Sequence, residues 1–450
     1  MQQVRQFQDV DEEFAAPQSR RVALTDSQAR LKTIIRGIDN LADIDIPDGI
    51  IIDIITRMLF NEGKVSIRRM ADIIKVHPAL LDQIMQDMQL EHLVEVARAN
   101  QLGRMSYIYA LTDAGTQRAR DAMERSLYIG PAPVPLDKYN EAILLQTEHK
   151  ATITPQQLKA SLSHLILPEN FDRSIGPAIN QGSSVFLYGL PGNGKTTIAE
   201  AVGELVAGTD PIWFPYAVEA SGAIIALYDT LIHKEVEVTK EIQNMYGDYD
   251  HRWGLFKRPN VMVGGELTLE SLDLRYDESA KFYEAPLQMK ANGGMFLVDD
   301  FGRQMITPAE LLNRWIVPLE SEFDFLKLRS GQTLRVPFKQ LIFFSTNLDP
   351  NDLVDGAFLR RIQMKVEVKS PNERMFYQLF VIMCKSIGFE FDKATFRYLL
   401  QEWYQKPGRM LQAVHPRDLL KVARALCEYS GDPMKLSPKL IHEACEAYFV

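Results

Sequence analysis

Residues Gly189 to Thr196 read Gly-Leu-Pro-Gly-Asn-Gly-Lys-Thr, and no other stretch restricts the fold as strongly. The run before it, Ser183-Ser184-Val185-Phe186-Leu187-Tyr188, is β-branched and aromatic, as a buried strand should be. The run after it, Thr197-Ile198-Ala199-Glu200-Ala201-Val202, has helical character. Strand, glycine-rich loop and helix together aim several backbone N–H groups and a helix N-terminus at phosphate oxygens. Lys195 is placed to reach the β- and γ-phosphates of a nucleoside triphosphate, and the Thr196 hydroxyl to bind Mg²⁺. A chance glycine loop does not need that context on both sides.

Further along, Gly294-Met295-Phe296-Leu297-Val298-Asp299-Asp300 is an apolar strand ending in two carboxylates. Such a strand delivers acids to the carboxyl edge of a parallel sheet, where ligands bind. Asp299 is expected to hold Mg²⁺ through its water shell. Asp300 is expected to orient or deprotonate the attacking water. A third strand, Leu341 to Thr346, delivers Asn347, a neutral amide for that water or the γ-phosphate. Arg360 and Arg361 follow on a short helix end, and Arg417 lies on the helix opened by His415-Pro416. A surface ion pair is the plain alternative for the two adjacent arginines.

This series of strand ends resembles the AAA+ ATPase family over roughly residues 181–450. It carries a Walker A loop, a Walker B strand, a sensor I asparagine at Asn347, an arginine-finger region at Arg360 and Arg361, and a sensor II arginine at Arg417. The resemblance implies an α/β nucleotide domain with a parallel sheet plus a helical lid. It also implies a homo-oligomeric ring, usually of six, with ATP and Mg²⁺ at subunit seams. Gly189, Pro191, Gly192, Asn193, Gly194, Lys195, Thr196 and Thr197 are then the ATP contacts, and Thr196 and Asp299 the metal residues. Arg360 or Arg361 acts in the neighbour's site, with Arg361 preferred. The family usually ends its Walker B strand in Asp-Glu, whereas this chain has Asp299-Asp300. The carboxylate retreats by on the order of 1.5 Å, and a misplacement of that size can cost about a hundredfold.

Two insertions narrow the resemblance. The segment at about 245–293, holding Val261-Met262-Val263-Gly264-Gly265-Glu266-Leu267-Thr268, reads as an insertion between the second strand and Walker B. Its end, Ala285 to Gly294, looks like the approach to Walker B in the MoxR, MCM and σ54-activator groups. Phe323 to Phe338 reads as a hairpin around Ser330-Gly331-Gln332, like the pre-sensor I hairpin of that clade, which usually faces the ring's pore. Asn313 to Glu320 and the end Ala447-Tyr448-Phe449-Val450 resemble a bacterial set of AAA+ proteins described as chaperone-like and associated with Flp pilus assembly.

The N-terminal part reads as a separate winged-helix domain. Ile50 to Phe60, Ile67 to Ile74 and the segment after His77-Pro78 have helical spacing. Leu93 to Val96 and Ser106 to Leu111 read as strands around a polar turn at 100–103. The third helix should be the one that reads DNA. From Val76 to Ala97, however, there is no Lys or Arg, while Asp82, Asp87, Glu91 and Glu95 are acidic. Arg68, Arg69, Lys75, Arg98 and Arg104 give only a weak phosphate footprint. Protein docking is therefore preferred over DNA contact. The expected division is a flexible or partner-docked arm over 1–45 with one helix near Gln28 to Arg36, the winged helix over 46–129, a linker and helical lead-in over 130–180, the nucleotide domain over 181–369 and the lid over 370–450. Gly130-Pro131-Ala132-Pro133-Val134-Pro135 is the stiff linker, and Leu158, Leu162, Leu165 and Ile166 form the packing face of the lead-in.

Composition adds exclusions. The 50 basic and 59 acidic residues leave a net charge of −9, which argues against a chain-wide footprint for DNA. Cys384, Cys427 and Cys445 show no metal or disulfide spacing and read as reduced core thiols. No apolar run reaches membrane-spanning length, and the N-terminus begins no signal peptide, so a cytoplasmic protein without membrane insertion is expected. The expected activity is ATP hydrolysis coupled to remodelling of a protein partner. A DNA-acting regulator or translocase is the alternative, and a slow ATP switch a second one.

Overall fold

The computed structural model describes residues 25–99, 104–148, 152–168, 171–182, 184–353 and 356–449. The acidic and basic runs at 11–13 and 20–21 and the turn at 100–103 lie outside the described residues. The molecule is α/β, organised around a sheet of five parallel strands. From edge to edge these are Asn260–Val263, Met295–Val298, Leu341–Thr346, Val185–Tyr188 and Met364–Glu367. Alternate side chains of the inner strands enter opposite cores, as a strand period of two requires. Val185, Leu187, Leu297 and Phe343 pack against Ile198, Ala199 and Val202 of the helix Lys195–Ala207. Phe186, Phe296, Val298 and Phe344 pack on the other side with Phe301, Leu311 and Trp315. Both faces are thus covered, which is why these strands are apolar throughout. The helix Pro308–Ser321, started by a capping box between Thr307 and Glu310, covers the second face.

One expectation fails here. Val261-Met262-Val263 is an edge strand of the central sheet, paired in parallel with Phe296-Leu297-Val298, and not part of an insertion. The larger excursion comes earlier, between Ala207 and Asn260, and a shorter one follows the edge strand. Together they build a second body. Ile212–Pro215 pairs antiparallel with Trp253–Phe256. A separate five-stranded sheet runs Arg275–Asp277, Phe282–Glu284, Ala223–Ala226, Ala217–Ala220, Val134–Pro135.

Three further corrections follow from this body. The linker is not a free spacer, because Ala132 and Val134 are buried and Val134–Pro135 supplies an edge strand. The second half of the arm is packed: the helix Asp26–Ile34 puts Leu31, with Ile35 just beyond it, into a core with Trp213, Phe214 and Trp253. The lead-in is split. The helix Leu136–Glu148 buries Tyr139, Ala142 and Ile143 in that same core, whereas Pro155–Ser161 and Phe171–Gln181 pack on the central sheet through Leu158, Phe171 and Ile175. The hairpin of Phe323–Lys327 and Thr333–Pro337 also turns Leu326, Leu334 and Val336 into the insertion core, so one of its faces is covered.

Two buried arginines tie the bodies together. Arg252, 1% exposed, pairs with Asp250 and donates from Nη1 to the carbonyls of Ile44 and Pro133 at 3.0 and 2.9 Å. Arg258 donates to the carbonyls of Asp210, Gly293 and Gln146.

The N-terminal module has the helices Asp48–Glu62, Ile67–Ile74 and Pro78–Leu90. An antiparallel sheet ordered Val65–Ser66, Ile108–Leu111, Val94–Arg98 and the helix Asp113–Arg125 complete it. Its core continues into the insertion through Ala217 and Ile224. The C-terminal helices Glu373–Ile387, Lys393–Leu399, His415–Ser430 and Pro438–Tyr448 enclose their own core, which includes the free and buried Cys384, Cys427 and Cys445. Among the described residues no helix is long and apolar enough to cross a membrane.

Candidate functional site

Register brings the strand ends together. Thr346 lies opposite Tyr188, and Phe344 opposite Val298, so Gly189, Asn347, Asp299 and Asp300 all emerge at the carboxyl edge of the sheet. The loop then has to bend tightly under the lid. Gly189 has φ 140°, and a Cβ there would stand 2.4 Å from the Val368 carbonyl. Gly192 has φ 75°, and a Cβ there would stand 2.6 Å from Val414 Cγ1. Only glycine meets both demands.

Lys195 is 5% exposed and donates to the carbonyls of Gly189 and Leu190 at 2.8 and 2.9 Å and to Asn347 Oδ1 at 2.6 Å. Burial lowers its pKa from the ordinary lysine value, and the carboxylates of Asp300 and Asp299 oppose that shift. The Thr196 hydroxyl lies 3.1 and 3.0 Å from the two oxygens of Asp299. Asn347 donates from Nδ2 to Asp300 Oδ1 at 3.1 Å. Lysine, asparagine and aspartate therefore form one chain of contacts across the sheet edge.

Asp300 sits in the left-handed region at φ 47°, which aspartate tolerates better than most residues. Its turn is pinned on both sides. Gln304 donates to the carbonyls of Asp299 and Asp300 at 2.7 and 3.2 Å and accepts from the Gly302 N–H at 2.8 Å. The Phe301 N–H reaches the Ser345 carbonyl at 2.7 Å. Nothing in the sequence pattern marks Gln304 for this work, since one glutamine in a polar turn carries no signal.

A cleft of about 430 Å³ opens over the loop, a size that suits a nucleotide. Pro191, Gly192, Asn193, Gly194, Lys195, Thr196, Thr197, Asp300, Asn347 and Arg417 face it from the polar side. Leu165, Ile166 and Leu167 from the lead-in and Leu379 and Met383 from the lid form its apolar wall. The spacing of Leu379 and Met383, four apart on one helix, was the available signal for that wall, but it reads equally well as lid core. A larger cleft of about 630 Å³ lies between the N-terminal module and the insertion. The smaller one is the candidate nucleotide site, because only there do the lysine, the hydroxyl and the carboxylates converge.

The lid touches the loop directly. The Val414 N–H donates to the Gly192 carbonyl at 2.8 Å, and the Ala413 N–H to Asn193 Oδ1 at 3.3 Å. Asn193, 6% exposed, donates in turn to Ser370 Oγ at 3.2 Å. Arg417 lines the cleft half-exposed, with Nε on Asp418 Oδ1 at 2.8 Å. Arg360 and Arg361 do not line it. Arg361 Nε is bound to Glu320 Oε1 at 2.6 Å and its side chain is only 17% exposed, whereas Arg360 is exposed. The preference for Arg361 as the outward-reaching arginine therefore loses its support.

Thr196 and Asp299 fit a small hard cation, since they set a hydroxyl and a carboxylate side by side with no nitrogen or sulfur donor. Among the described residues no group of three or more His, Cys, Asp or Glu forms a further metal cluster.

A family model described as a domain of unknown function (DUF8689) matches residues 372–447, the stretch that encloses the C-terminal helical core. No curated protein matches the chain. Among solved structures, NtrX from Brucella abortus is 15% identical with a TM-score of 0.37, covering 63% of this chain and 52% of that one. The RuvB Holliday junction branch migration motor of Thermotoga maritima is 13% identical with a TM-score of 0.34, covering 70% and 71%. A magnesium chelatase complex of subunits BchI and BchD is 18% identical with a TM-score of 0.29, covering 66% and 92%. The chain thus spans about half the length of NtrX. At this level of likeness, what the chain does is read from its own cleft.

Proposed function

We propose that the chain is an AAA+ ATPase that assembles into a ring and couples ATP binding and hydrolysis to the remodelling of a protein partner. The observation that carries this is the convergence of Lys195, Thr196, Asp299, Asp300 and Asn347 at one sheet edge beneath a helical lid. Lys195 takes the β- and γ-phosphates, on which it exchanges its present carbonyl partners for phosphate oxygens. Thr196 and Asp299 hold Mg²⁺, which supplies neutralisation of the charge on the phosphates. Asp300 orients the attacking water and Asn347 fixes Asp300. The leucine and methionine wall takes the base, and Arg417 brings the lid onto the phosphates. Arg360, exposed and outside its own cleft, is the arginine for a neighbouring subunit's site, and this supports assembly into a ring, six-membered in the family. The N-terminal module, read as a winged helix, recruits the partner. Its third helix carries Asp82 and Asp87, with Glu91 at its C-cap, and Asp82 already holds Arg104 at 3.0 Å, so little positive charge remains there for DNA.

One observation favours slow turnover. The short Asp300 carboxylate is engaged by Asn347, so the water must be held at the far side of an occupied group. Steady-state phosphate release by the purified chain, with Lys195→Ala as control and with and without duplex DNA, tests the whole reading. ATP turnover lost in Lys195→Ala and indifferent to DNA is expected. Equal turnover in the variant overturns the site, and strong stimulation by DNA transfers the reading to a DNA-acting motor. No release by the wild type, restored by Asp300→Glu, marks a switch.

A further inference from the structure

We propose that the cleft between the N-terminal module and the insertion is the docking site for a lysine- or arginine-bearing segment of the protein partner. This rests on the reading that a protein partner is recruited through the N-terminal module, and it specifies that partner's chemistry. The cleft, about 630 Å³, is walled on one side by the C-terminal end of the helix Ile67–Ile74 and on the other by the insertion. Asp72, Glu235 and Glu237 line it and are exposed, and none of the three is in an ion pair among the described residues. Lys75 is the one lysine or arginine in the lining, and His251 adds charge only when protonated. A helix C-terminus adds partial negative charge to the same wall.

The cleft already accommodates a cation of its own. The Lys75 ammonium stands 5.9 Å from the centre of the Tyr216 ring, whose hydroxyl donates to Glu235 Oε1 at 2.8 Å. An aromatic face beside a carboxylate is the surface that a desolvated ammonium or guanidinium seeks. Duplex DNA does not fit these features, since its phosphates meet three carboxylates.

The test is fluorescence anisotropy of a labelled tetra-arginine peptide with the full chain at moderate salt. Glu235→Gln/Glu237→Gln is expected to weaken binding by about fivefold or more, since rim and cleft charges act on affinity at that scale. Glu443→Gln/Glu446→Gln on the last lid helix removes the same charge and is expected to change it by less than about twofold. Lys75→Asn removes the resident cation at φ 61°, a conformation asparagine accepts, and is expected to tighten binding severalfold, a gain that misfolding does not produce. Equal weakening by the two double variants overturns the proposal. So does unchanged affinity in Lys75→Asn, or binding of duplex DNA at this cleft in place of the peptide. ATP turnover, followed in the same samples, fails or holds independently of the peptide result.

Discussion

The cleft at the sheet edge and the insertion beside it are built on opposite plans. In the cleft, function is concentrated at four strand and loop ends whose positions are set by register, and each residue does chemistry close to where it stands in sequence. In the insertion, segments from 25–36, 134–148, 212–285 and 323–336 share one core, and no local motif announces it. The first plan tolerates change everywhere except at a few atoms. The second tolerates loss of single atoms but depends on distant segments arriving together. Losing a side chain should therefore affect turnover in one region and folding in the other.

The largest effect expected is on chemistry alone. Asp300→Asn keeps the hydrogen bond pattern to Asn347 within reach but removes the base, and kcat should fall by about 10²–10³-fold, the scale of losing one well-placed catalytic group. ATP affinity should hold, and single-turnover kinetics separates the two. In the insertion, Arg252→Ala leaves Asp250, 6% exposed, without its partner and strips the carbonyls of Ile44 and Pro133. Breaking a buried pair this way costs about 3–5 kcal/mol. Denaturant unfolding should show that loss, while nucleotide binding by the folded fraction stays as it was. If Arg252→Ala abolishes ATP binding as well, the two regions are not separable in this way.

The same contrast explains what the sequence could disclose. The phosphate loop, the acidic strand and Asn347 were legible because their chemistry dictates both residue type and spacing, and the unbroken apolar runs Val185 to Tyr188 and Leu341 to Phe344 fit a sheet covered on both faces. The edge strand Asn260–Val263 was misplaced because Asn260 and Met262 are exposed between buried Val261 and Val263, so it lacks the continuous apolar run of the inner strands. The buried linker was misread because Pro131, Pro133 and Pro135 are ordinary signs of a spacer. Their carbonyls nevertheless accept well, and Arg252, far along the chain, uses that of Pro133. Arg360 and Arg361 could not be told apart by composition, because the distinction lies in Glu320, a residue from another helix.

A smaller effect should come from the contact between loop and lid. Asn193→Ala removes two hydrogen bonds, to Ser370 and from Ala413, each worth roughly 1 kcal/mol. Hydrogen exchange of the lid helices should rise in the free protein, with Lys195 and Thr196 untouched. Unchanged protection of residues 412–420 would show that the backbone bond from Val414 to Gly192 alone carries the coupling.

Acid should separate the regions again. His233 in the insertion and His415 in the lid are both held near pKa about 4 by burial, below the ordinary 6.5. A histidine depressed in the folded state stays neutral there while the unfolded chain takes up a proton. The stability it contributes is complete above pH 6.5 and falls as pH drops toward 4, by up to about 1.4 kcal/mol per unit for each ring. Unfolding followed from pH 7 to 5 should weaken the lid and the insertion, and His415→Phe should flatten the slope for the lid. A slope unchanged in that variant would mean that His415 titrates freely.

The smallest effect is the most discriminating for the arginines. Glu320→Gln breaks a partly exposed pair with Arg361, and such pairs are worth about 0–1 kcal/mol, so stability should hardly move. If Arg361 serves only to anchor the short helix end, turnover should also stay within about twofold, and Arg360→Ala should abolish it. Glu320→Gln weakens one of the contacts that hold Arg361. A rise in turnover on Glu320→Gln would therefore place Arg361, and not its neighbour, in the adjoining subunit's site, with Glu320 as the group that restrains it.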